Sequence, residues 1–308
     1  MERVNNLMVF DILPERKVVF LEHNINVQDT LSILDDKRIS SAPVVNVSEG
    51  KFLGIVDMFD IVTCMLGVLP ELKEGDDPSA VEWAGEHFAK TTMGQVIEAT
   101  NTYEGFPIAS NPVKRETFLP KVIELFWLGL HRLPVVNMEN NIINVLTQSD
   151  LLAFMAQNMH LIGAIARKTL DECNIGRVAP QMARANEQTS VVVKRLHDKR
   201  ITALPVVDDE GKIVANFSIS DLKGITSKNF KDLLLPVKAF LDKRSSQEEN
   251  FRCERSLHPL TVQRHDPLEE TIYKMVATRV HRLWVVDDSN RPIGTVSTTD
   301  LMRAFLQL

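Results

Sequence analysis

The chain has 308 residues, of which 25% are charged and 44% are hydrophobic, and its formal net charge is −6 at pH 7. This length could hold two domains of ordinary size, and the composition is that of a soluble globular protein. Acidic and basic residues are interspersed without a basic stripe, so nucleic acid is not an expected partner.

The sequence also argues against a membrane, a secretory route and a metal framework. No apolar run reaches the length of a membrane span, and the N-terminus lacks the hydrophobic core of a signal peptide. The three cysteines, Cys64, Cys173 and Cys253, show no CxxC spacing, which argues against zinc or disulfides. We therefore expect a cytoplasmic or nuclear protein.

The first part of the chain combines a lead-in segment with an opening helix. Residues 1–16 form the lead-in, and the apolar run Lys17–Leu21 is expected to be a strand. Repeat one does not need this run, so it is available to add to another chain's sheet. Asn26 is expected to cap a helix that reaches about Lys37.

One pattern then occurs four times: a short apolar strand, a polar turn, a second strand, and an aspartate where a closing helix should begin. In each copy the aspartate is expected to cap that helix. Four copies predict a repeat protein whose function lies between repeats. The copies are Ile39–Ile61, Leu130–Leu151, Ile201–Leu222 and Val280–Leu301, and their aspartates are Asp60, Asp150, Asp221 and Asp300.

The remaining helices are predicted from apolar spacing and from their start signals. Repeat four has the clearest start, since Asp266 can cap, Pro267 suits the first position, and Glu269 completes a capping box. The other predicted helices are Asp60 to about Leu69, Val81–Phe88, Gly94–Ala99, Thr117–Leu130, Asp150–Met159 and Thr189–Lys199.

Each repeat is therefore predicted to be β-α-β-β-α, an α/β (α+β) arrangement whose apolar faces must pack against a neighbouring repeat. Two copies packed sheet against sheet would close one core, so four copies make two pairs, one of which is expected to be repeats three and four. The expected divisions are a lead-in at 1–16, repeat one at 17–70, a linker with short helices at 71–105, repeat two at 106–160, repeat three at 161–242, and repeat four at 243–308.

With these repeats, the chain resembles the CBS domain family and, more narrowly, the gamma subunit of AMP-activated and Snf1-type protein kinases. The narrower resemblance depends on three stretches, Phe10–Phe20 (FDILPERKVVF), His131–Val136 (HRLPVV) and Val280–Asp287 (VHRLWVVD). It implies two Bateman pairs that form a flat disk with a central cavity. It also implies a non-catalytic, energy-sensing subunit that binds AMP, ADP or ATP without a metal. Its partners would be the catalytic (alpha) and scaffold (beta) subunits of the kinase.

The resemblance assigns roles to the closing aspartates and the residues around them. In the family, an aspartate after Ser/Thr-x-x accepts hydrogen bonds from both ribose hydroxyls. From the residues alone, each aspartate could equally well do no more than cap its helix. Asp57 replaces the hydroxyl of repeat one, so Asp60 is not expected to serve a nucleotide. The candidate contacts are Thr147 with Asp150, Ser218 with Asp221, and Ser297 and Thr299 with Asp300.

A second set of candidates would bind phosphate. The resemblance implies that His131–Arg132 and His281–Arg282 reach the phosphates of a bound nucleotide, although each pair could also be a solvated dipeptide at a strand start. Thr202 matches a hydroxyl position near ribose and phosphate, or is an ordinary strand residue. Arg252 lies in the linker that carries a phosphate-binding arginine in the gamma subunit. Arg255 competes for that role, and either could simply be solvated.

Several positions depart from the gamma pattern. Ser40 replaces an arginine, Ser149 replaces a lysine, and Gly176 replaces a threonine. Asp150 stands where the animal subunit has an arginine, which could open a ribose site that the animal subunit lacks. The alternative hypothesis is a stand-alone CBS protein that regulates a phosphatase or scaffolds another complex without nucleotide control. An enzyme is not expected, because the repeats leave no room for a catalytic domain.

Overall fold

The computed structural model describes residues 4–69, 78–100, 112–246 and 257–306. They contain four three-stranded sheets of the same topology, in which the first strand is parallel to the second and the second is antiparallel to the third. The strands are β1 Leu21–Glu22, β2 Ser41–Asn46, β3 Lys51–Asp57, β4 Val113–Lys114, β5 Arg132–Val136, β6 Ile142–Thr147, β7 Ala183–Arg184, β8 Ala203–Val207, β9 Ile213–Ser218, β10 Thr261–Val262, β11 Arg282–Val286 and β12 Pro292–Ser297.

Helices join and follow these strands, and they confirm the β-α-β-β-α unit. The α-helices are α1 Val9–Ile12, α2 Val27–Asp36, α3 Met58–Val68, α4 Pro78–Lys90, α5 Met93–Thr100, α6 Leu119–Trp127, α7 Gln148–Gln157, α8 Thr189–Asp198, α9 Val237–Ser245, α10 Leu268–Thr278 and α11 Thr298–Phe305. Shorter 3-10 helices are Val4–Asn6, Met159–Leu161, Gly163–Arg167, Ile219–Leu222 and Ser227–Leu234. None of the described helices is both long enough and apolar enough to cross a membrane.

Repeat three departs from the expected closing helix. The chain makes only the 3-10 helix Ile219–Leu222 and then turns at Gly224. The buried Arg244 side chain explains this turn, because its Nη1 donates to the Gly224 carbonyl at 2.8 Å. A Cβ atom at residue 224 would overlap the guanidinium, so any other residue at this position would require Arg244 to move.

The chain divides into two compact units, and each contains alternate repeats. Unit 1 comprises Met1–Val18, Pro107–Pro180 and Leu260–Leu308, so it holds repeats two and four. Unit 2 comprises Val19–Phe106 and Gln181–Pro259, so it holds repeats one and three. The prediction of two pairs is confirmed in number, but the compact units join repeat four with repeat two, whereas the sequence predicted repeats three and four as one pair. The flat disk stays a prediction.

Inside each unit the repeats pack helix against helix, whereas the sequence analysis considered sheet against sheet. In unit 1, α6 contacts α11 and α7 contacts α10. Leucine, isoleucine, valine and phenylalanine side chains fill this core, since the helices have a wide apolar face. In unit 2, α3 contacts α8, and α4 covers the 3-10 helix Ser227–Leu234 through the ring pair Phe88–Phe230 at 5.5 Å.

The lead-in is part of unit 1. The N–H of Val9 donates to the Thr117 carbonyl at 2.9 Å, and the N–H of Phe10 donates to the Arg115 carbonyl at 3.0 Å, which docks α1 on repeat two. The predicted strand Lys17–Leu21 is wrong for its first four residues, since only Leu21–Glu22 is a strand. Repeat one uses Leu21 itself, because this buried residue pairs with Val44. It is not available to another chain's sheet.

The predicted start of the opening helix in repeat four is also wrong in detail. Pro267 is the N-cap residue and α10 begins one residue later, without a side-chain cap. Asp266 accepts from the N–H of Gln263 at 2.9 Å and closes the preceding turn instead. The N–H of Leu268 donates to the Lys168 carbonyl at 2.9 Å, so a backbone group from another segment does the work of a cap. By contrast, Asn26 caps α2 as predicted, accepting from Asp29 N–H at 2.8 Å.

Gly176, one of the departures from the gamma pattern, lies where the backbone has no room for a side chain. Its φ is +78°, and a Cβ atom there would lie 2.6 Å from Cγ2 of Val285. A Cβ atom at Gly294 would in turn overlap the Gly176 carbonyl. The connector before repeat three therefore lies directly on the β11–β12 hairpin, and both glycines are needed for that approach.

Candidate functional site

The start of each closing helix is fixed by the same backbone hydrogen bond. The first helical residue donates its N–H to the carbonyl of the residue immediately before the second strand of its repeat. The bond thereby places the side chain of that residue beside the helix N-terminus. The four bonds are Met58 to Ser40 at 3.1 Å, Gln148 to His131 at 3.2 Å, Ile219 to Thr202 at 3.0 Å and Thr298 to His281 at 3.1 Å.

The closing aspartates occupy the third position of these helices and are not their caps. The residue three positions earlier is the N-cap, and the aspartate reaches back to its N–H in a capping box. In repeat four, Oδ2 of Asp300 accepts from Ser297 N at 2.7 Å and from Ser297 Oγ at 2.6 Å. The expectation that the aspartate itself caps the helix is therefore wrong, because the cap role falls to Asp57, Thr147, Ser218 and Ser297.

The carboxylate oxygen that is not bound to the cap residue, and the exposure of the side chain, differ between repeats. In the part of the chain that the structure describes, Oδ1 of Asp300 accepts no hydrogen bond, and the residue is partly exposed. Oδ1 of Asp150 accepts from Nη1 of Arg16 at 3.0 Å. Asp221 is only 3% exposed. Among the described residues, Asp300 is thus the one of the three predicted ribose acceptors that is neither buried nor bound by an arginine.

Unit 1 brings the helix starts of repeats two and four together through one buried glutamine. Gln148 is 3% exposed, and its Oε1 accepts from Thr298 Oγ1 at 2.6 Å. Its Nε2 donates to the Phe126 carbonyl at 3.0 Å and to Thr299 Oγ1 at 3.1 Å. Residues 150 positions apart in sequence therefore meet at the N-termini of α7 and α11.

Both predicted histidines border this network. Nδ1 of His131 lies 3.2 Å from Oε1 of Gln148, and Nδ1 of His281 lies 3.1 Å from Oγ of Ser149. Ser149, a departure from the gamma pattern, thus contacts a histidine of the other repeat. Sequence reasoning missed Gln148. The available signal was its position as the first residue of α7, which matches Thr298 at the start of α11.

Positive charge accumulates at these helix starts. Backbone N–H groups at the N-terminus of a helix favour an anion, and both helices present that end here. Arg282 is half-buried and lies 5.7 Å from the centre of the Trp284 ring. Burial lowers the pKa of its guanidinium, and the Asp300 carboxylate opposes that shift. Because arginine stays charged at neutral pH, a desolvated guanidinium favours an anionic partner.

The equivalent positions of unit 2 lack this charge. Ser40 and Thr202 stand where unit 1 has histidines, and Ser41 and Ala203 stand where it has arginines. Nζ of the buried Lys223 donates to the Ile39 carbonyl, and the Phe59 ring stacks on His197 at 5.4 Å. Thr202 is half-buried and lies just before the second strand of repeat three. The sequence there is Thr202–Ala203, where unit 1 has histidine followed by arginine.

The linker candidates Arg252 and Arg255 lie outside the described residues. Sequence reasoning also missed Arg244, which is 2% exposed and stabilises the Gly224 turn. Among the residues that the structure describes, no group of three or more His, Cys, Asp or Glu side chains could hold a metal ion. The site of unit 1 places a carboxylate acceptor, Asp300, in the same repeat as the guanidinium of Arg282.

Comparisons with known proteins bear on this site. The family model for the CBS domain matches residues 9–67, 112–157, 178–226 and 255–307. The 5'-AMP-activated protein kinase subunit gamma of Dictyostelium discoideum is 28% identical over 96% of this chain, and Protein SDS23 of Kluyveromyces lactis is 24% identical over 94%. The chain spans 51% of the length of the first relative and 60% of the second.

Solved structures share the fold. Protein MJ1225 of Methanocaldococcus jannaschii, described as a candidate archaeal homologue of g-AMPK, superposes with a TM-score of 0.70 at 20% identity, covering 97% of this chain and 100% of that one. An uncharacterised protein of Pyrococcus horikoshii gives a TM-score of 0.54 at 17% identity, covering 96% and 99%. Both likenesses concern the four-repeat fold.

We expect Gln148→Leu to lower the free energy of unfolding by about 1–3 kcal/mol, because it removes the buried amide that donates to the Phe126 and Leu130 carbonyls and accepts from the Thr298 hydroxyl. Denaturant unfolding followed by circular dichroism would measure this change. Gln157→Leu is the matched control, since Gln157 is exposed in the same helix and should shift the free energy by no more than about 0.5 kcal/mol. Equal effects of the two changes would contradict the assigned role of Gln148.

Proposed function

Because the chain belongs to the CBS domain family, we propose that it is a non-catalytic regulatory subunit that binds AMP, ADP or ATP and controls a heterotrimeric protein kinase. The observation that carries this proposal is the geometry of unit 1. There the open Oδ1 of Asp300 lies in the same repeat as His281 and Arg282, at the start of a helix. A carboxylate acceptor beside cationic donors suits a ligand with a ribose diol and a phosphate.

Each group would have a separate task. Asp300 would accept hydrogen bonds from the ribose hydroxyls, while its other oxygen keeps the helix capped. Arg282 and His281 would bind phosphate, and Arg132 would add positive charge from repeat two, with His131 as a further hydrogen-bonding group. Ser297 and Thr299 flank Asp300 and would position its helix start. The similarity to a 5'-AMP-activated protein kinase gamma subunit supports the adenine nucleotide as ligand.

Unit 2 is the weaker candidate for nucleotide. Asp221 is buried, so a ribose could reach it only after a local rearrangement of Ser218–Leu222. In repeat one the N-cap of the closing helix is Asp57. Its carboxylate is a second negative charge beside Asp60 and would repel a phosphate. We therefore propose repeat four as the first site to fill. Regulation of the kinase would follow from different affinities of its active and inactive states for AMP and ATP, since only differential binding shifts an equilibrium.

The alternative is a stand-alone CBS protein that regulates a phosphatase or scaffolds another complex without nucleotide control. Protein SDS23 of Kluyveromyces lactis matches 94% of this chain at 24% identity, close to the values for the kinase subunit, so the similarity alone does not single out a kinase subunit. Affinity purification of the tagged chain from its own cells separates the two. Recovery of kinase alpha and beta subunits is the expected outcome, and recovery of a phosphatase without them would favour the alternative.

We expect Asp300→Ala to weaken AMP binding roughly tenfold to a hundredfold, because charged hydrogen bonds are worth about 1.5–3 kcal/mol and 1.4 kcal/mol is one decade. Isothermal titration of AMP would measure the change. Asp60→Ala is the matched control, since it removes the same third-position carboxylate from a capping box. Both variants lose the same helix stabilisation, so a loss confined to Asp300→Ala isolates the ligand contact. The reverse pattern would refute the choice of repeat four.

We expect Arg282→Gln to weaken ATP and ADP binding more than adenosine binding, because the guanidinium would contact only the phosphates. The three ligands would be compared by titration into the same variant. Arg291→Gln, on the exposed turn of the same hairpin, removes the same charge away from the helix start. An equal loss for adenosine and ATP in Arg282→Gln would show that the arginine supports the fold and not the phosphate.

A further inference from the structure

One ribose-acceptor position in unit 1 is already occupied by the chain itself. Arg16, in the lead-in, directs both ends of its guanidinium at Asp150 of repeat two. Nη1 lies 3.0 Å from Oδ1, and Nη2 lies 2.7 Å from Oδ2. This two-pronged arrangement is the strongest pairing that arginine makes with a carboxylate.

Further contacts hold the arginine in place. Nη2 of Arg16 also donates to the carbonyl of Val145, within β6, at 2.6 Å. Nδ2 of Asn144 donates to the Pro14 carbonyl at 2.9 Å, which ties the lead-in to the same strand. Upstream, α1 is docked on repeat two through Val9, so the arginine is delivered from an anchored segment. An anchored donor loses little additional freedom when it binds, which favours the closed arrangement.

The matched aspartate of repeat four has no such partner. Asp150 and Asp300 hold the same position in their capping boxes, and each gives Oδ2 to its cap residue. Oδ1 of Asp150 is bound by Arg16, whereas Oδ1 of Asp300 has no donor among the described residues. The side chain of Asp150 is 13% exposed and that of Arg16 is 42% exposed, so the arginine covers the carboxylate from the solvent side.

We propose that Arg16 is an intramolecular occupant of the ribose position in repeat two, which keeps that site closed while repeat four stays open. This inference depends on the proposed nucleotide function of unit 1. A ribose diol needs the carboxylate oxygen that Arg16 holds, so the nucleotide and the lead-in compete for Asp150. Any interaction that draws the lead-in away from β6 would raise the affinity of repeat two for nucleotide, because the competent fraction of that site rises.

The test is calorimetric titration of AMP into the full chain and into Arg16→Ala. We expect Arg16→Ala to gain one AMP-binding site, or to tighten a weak one roughly tenfold to a hundredfold, the range of a displaced charged hydrogen-bond pair. The gain should disappear in the double variant Arg16→Ala/Asp150→Asn. Lys17→Ala is the control, since it removes a neighbouring exposed cation that has no contact with Asp150 and should bind AMP as the unaltered chain does.

The possible outcomes separate this inference from the proposed function. If the unaltered chain binds AMP and Arg16→Ala binds it identically or more weakly, the inference fails while the function stands. If AMP binds only after Arg16 is replaced, and the binding depends on Asp150, the inference is supported. If neither protein binds AMP while circular dichroism shows both folded, both proposals fail. Arg16→Lys gives a second variant, which keeps the positive charge but cannot place two nitrogens on the Asp150 carboxylate. It should show an intermediate gain in AMP affinity.

Discussion

The site depends on the two oxygens of one aspartate carboxylate having different roles. In the closing segments of all four repeats, one carboxylate oxygen of the aspartate at the third position accepts a hydrogen bond from the backbone N–H of the cap residue. That bond satisfies a donor that the helix start would otherwise leave unpaired, and it holds the carboxylate in one orientation. The second oxygen is therefore presented in a fixed direction. Under the proposed function, the group that meets this second oxygen decides whether a repeat can receive a ligand.

Charge distinguishes the units, although their folds are alike. Unit 1 places His131, Arg132, His281 and Arg282 beside two helix starts, and Gln148 joins those starts through buried hydrogen bonds. A buried polar network of this kind is stabilising only when its members are paired, so the glutamine constrains the spacing of the two helices. Unit 2 uses small hydroxyl-bearing and apolar residues at the same positions and buries Asp221. The family resemblance alone predicts the same role for Asp221 and Asp300, whereas in the structure Asp221 is buried and Asp300 is partly exposed.

The repeat, its strands and most helices could be predicted from sequence, because turn residues, apolar spacing and the Ser/Thr-x-x-Asp pattern are local signals. Other features depend on residues far apart in the chain. The salt bridge between Arg16 and Asp150 spans 134 positions, and no local pattern marks Arg16 as different from any solvated arginine. The short closing turn of repeat three needs Arg244 against Gly224, 20 positions away. Val18–Phe20 has an apolar, strand-like sequence, yet among the described residues pairing with β2 begins only at Leu21.

The pairing of alternate repeats has a consequence for synthesis on the ribosome. Chains emerge from the N-terminus, and domains generally fold as units while they emerge. Repeat two cannot complete unit 1 alone, because α6 and α7 bury their apolar faces against α11 and α10, beyond residue 260. Those faces remain uncovered while roughly a hundred residues are added, which takes about 5–20 s at typical elongation rates. The nascent chain is thus a candidate for chaperone protection during this interval, and long-range closure makes the last repeat the step that commits unit 1 to its native form.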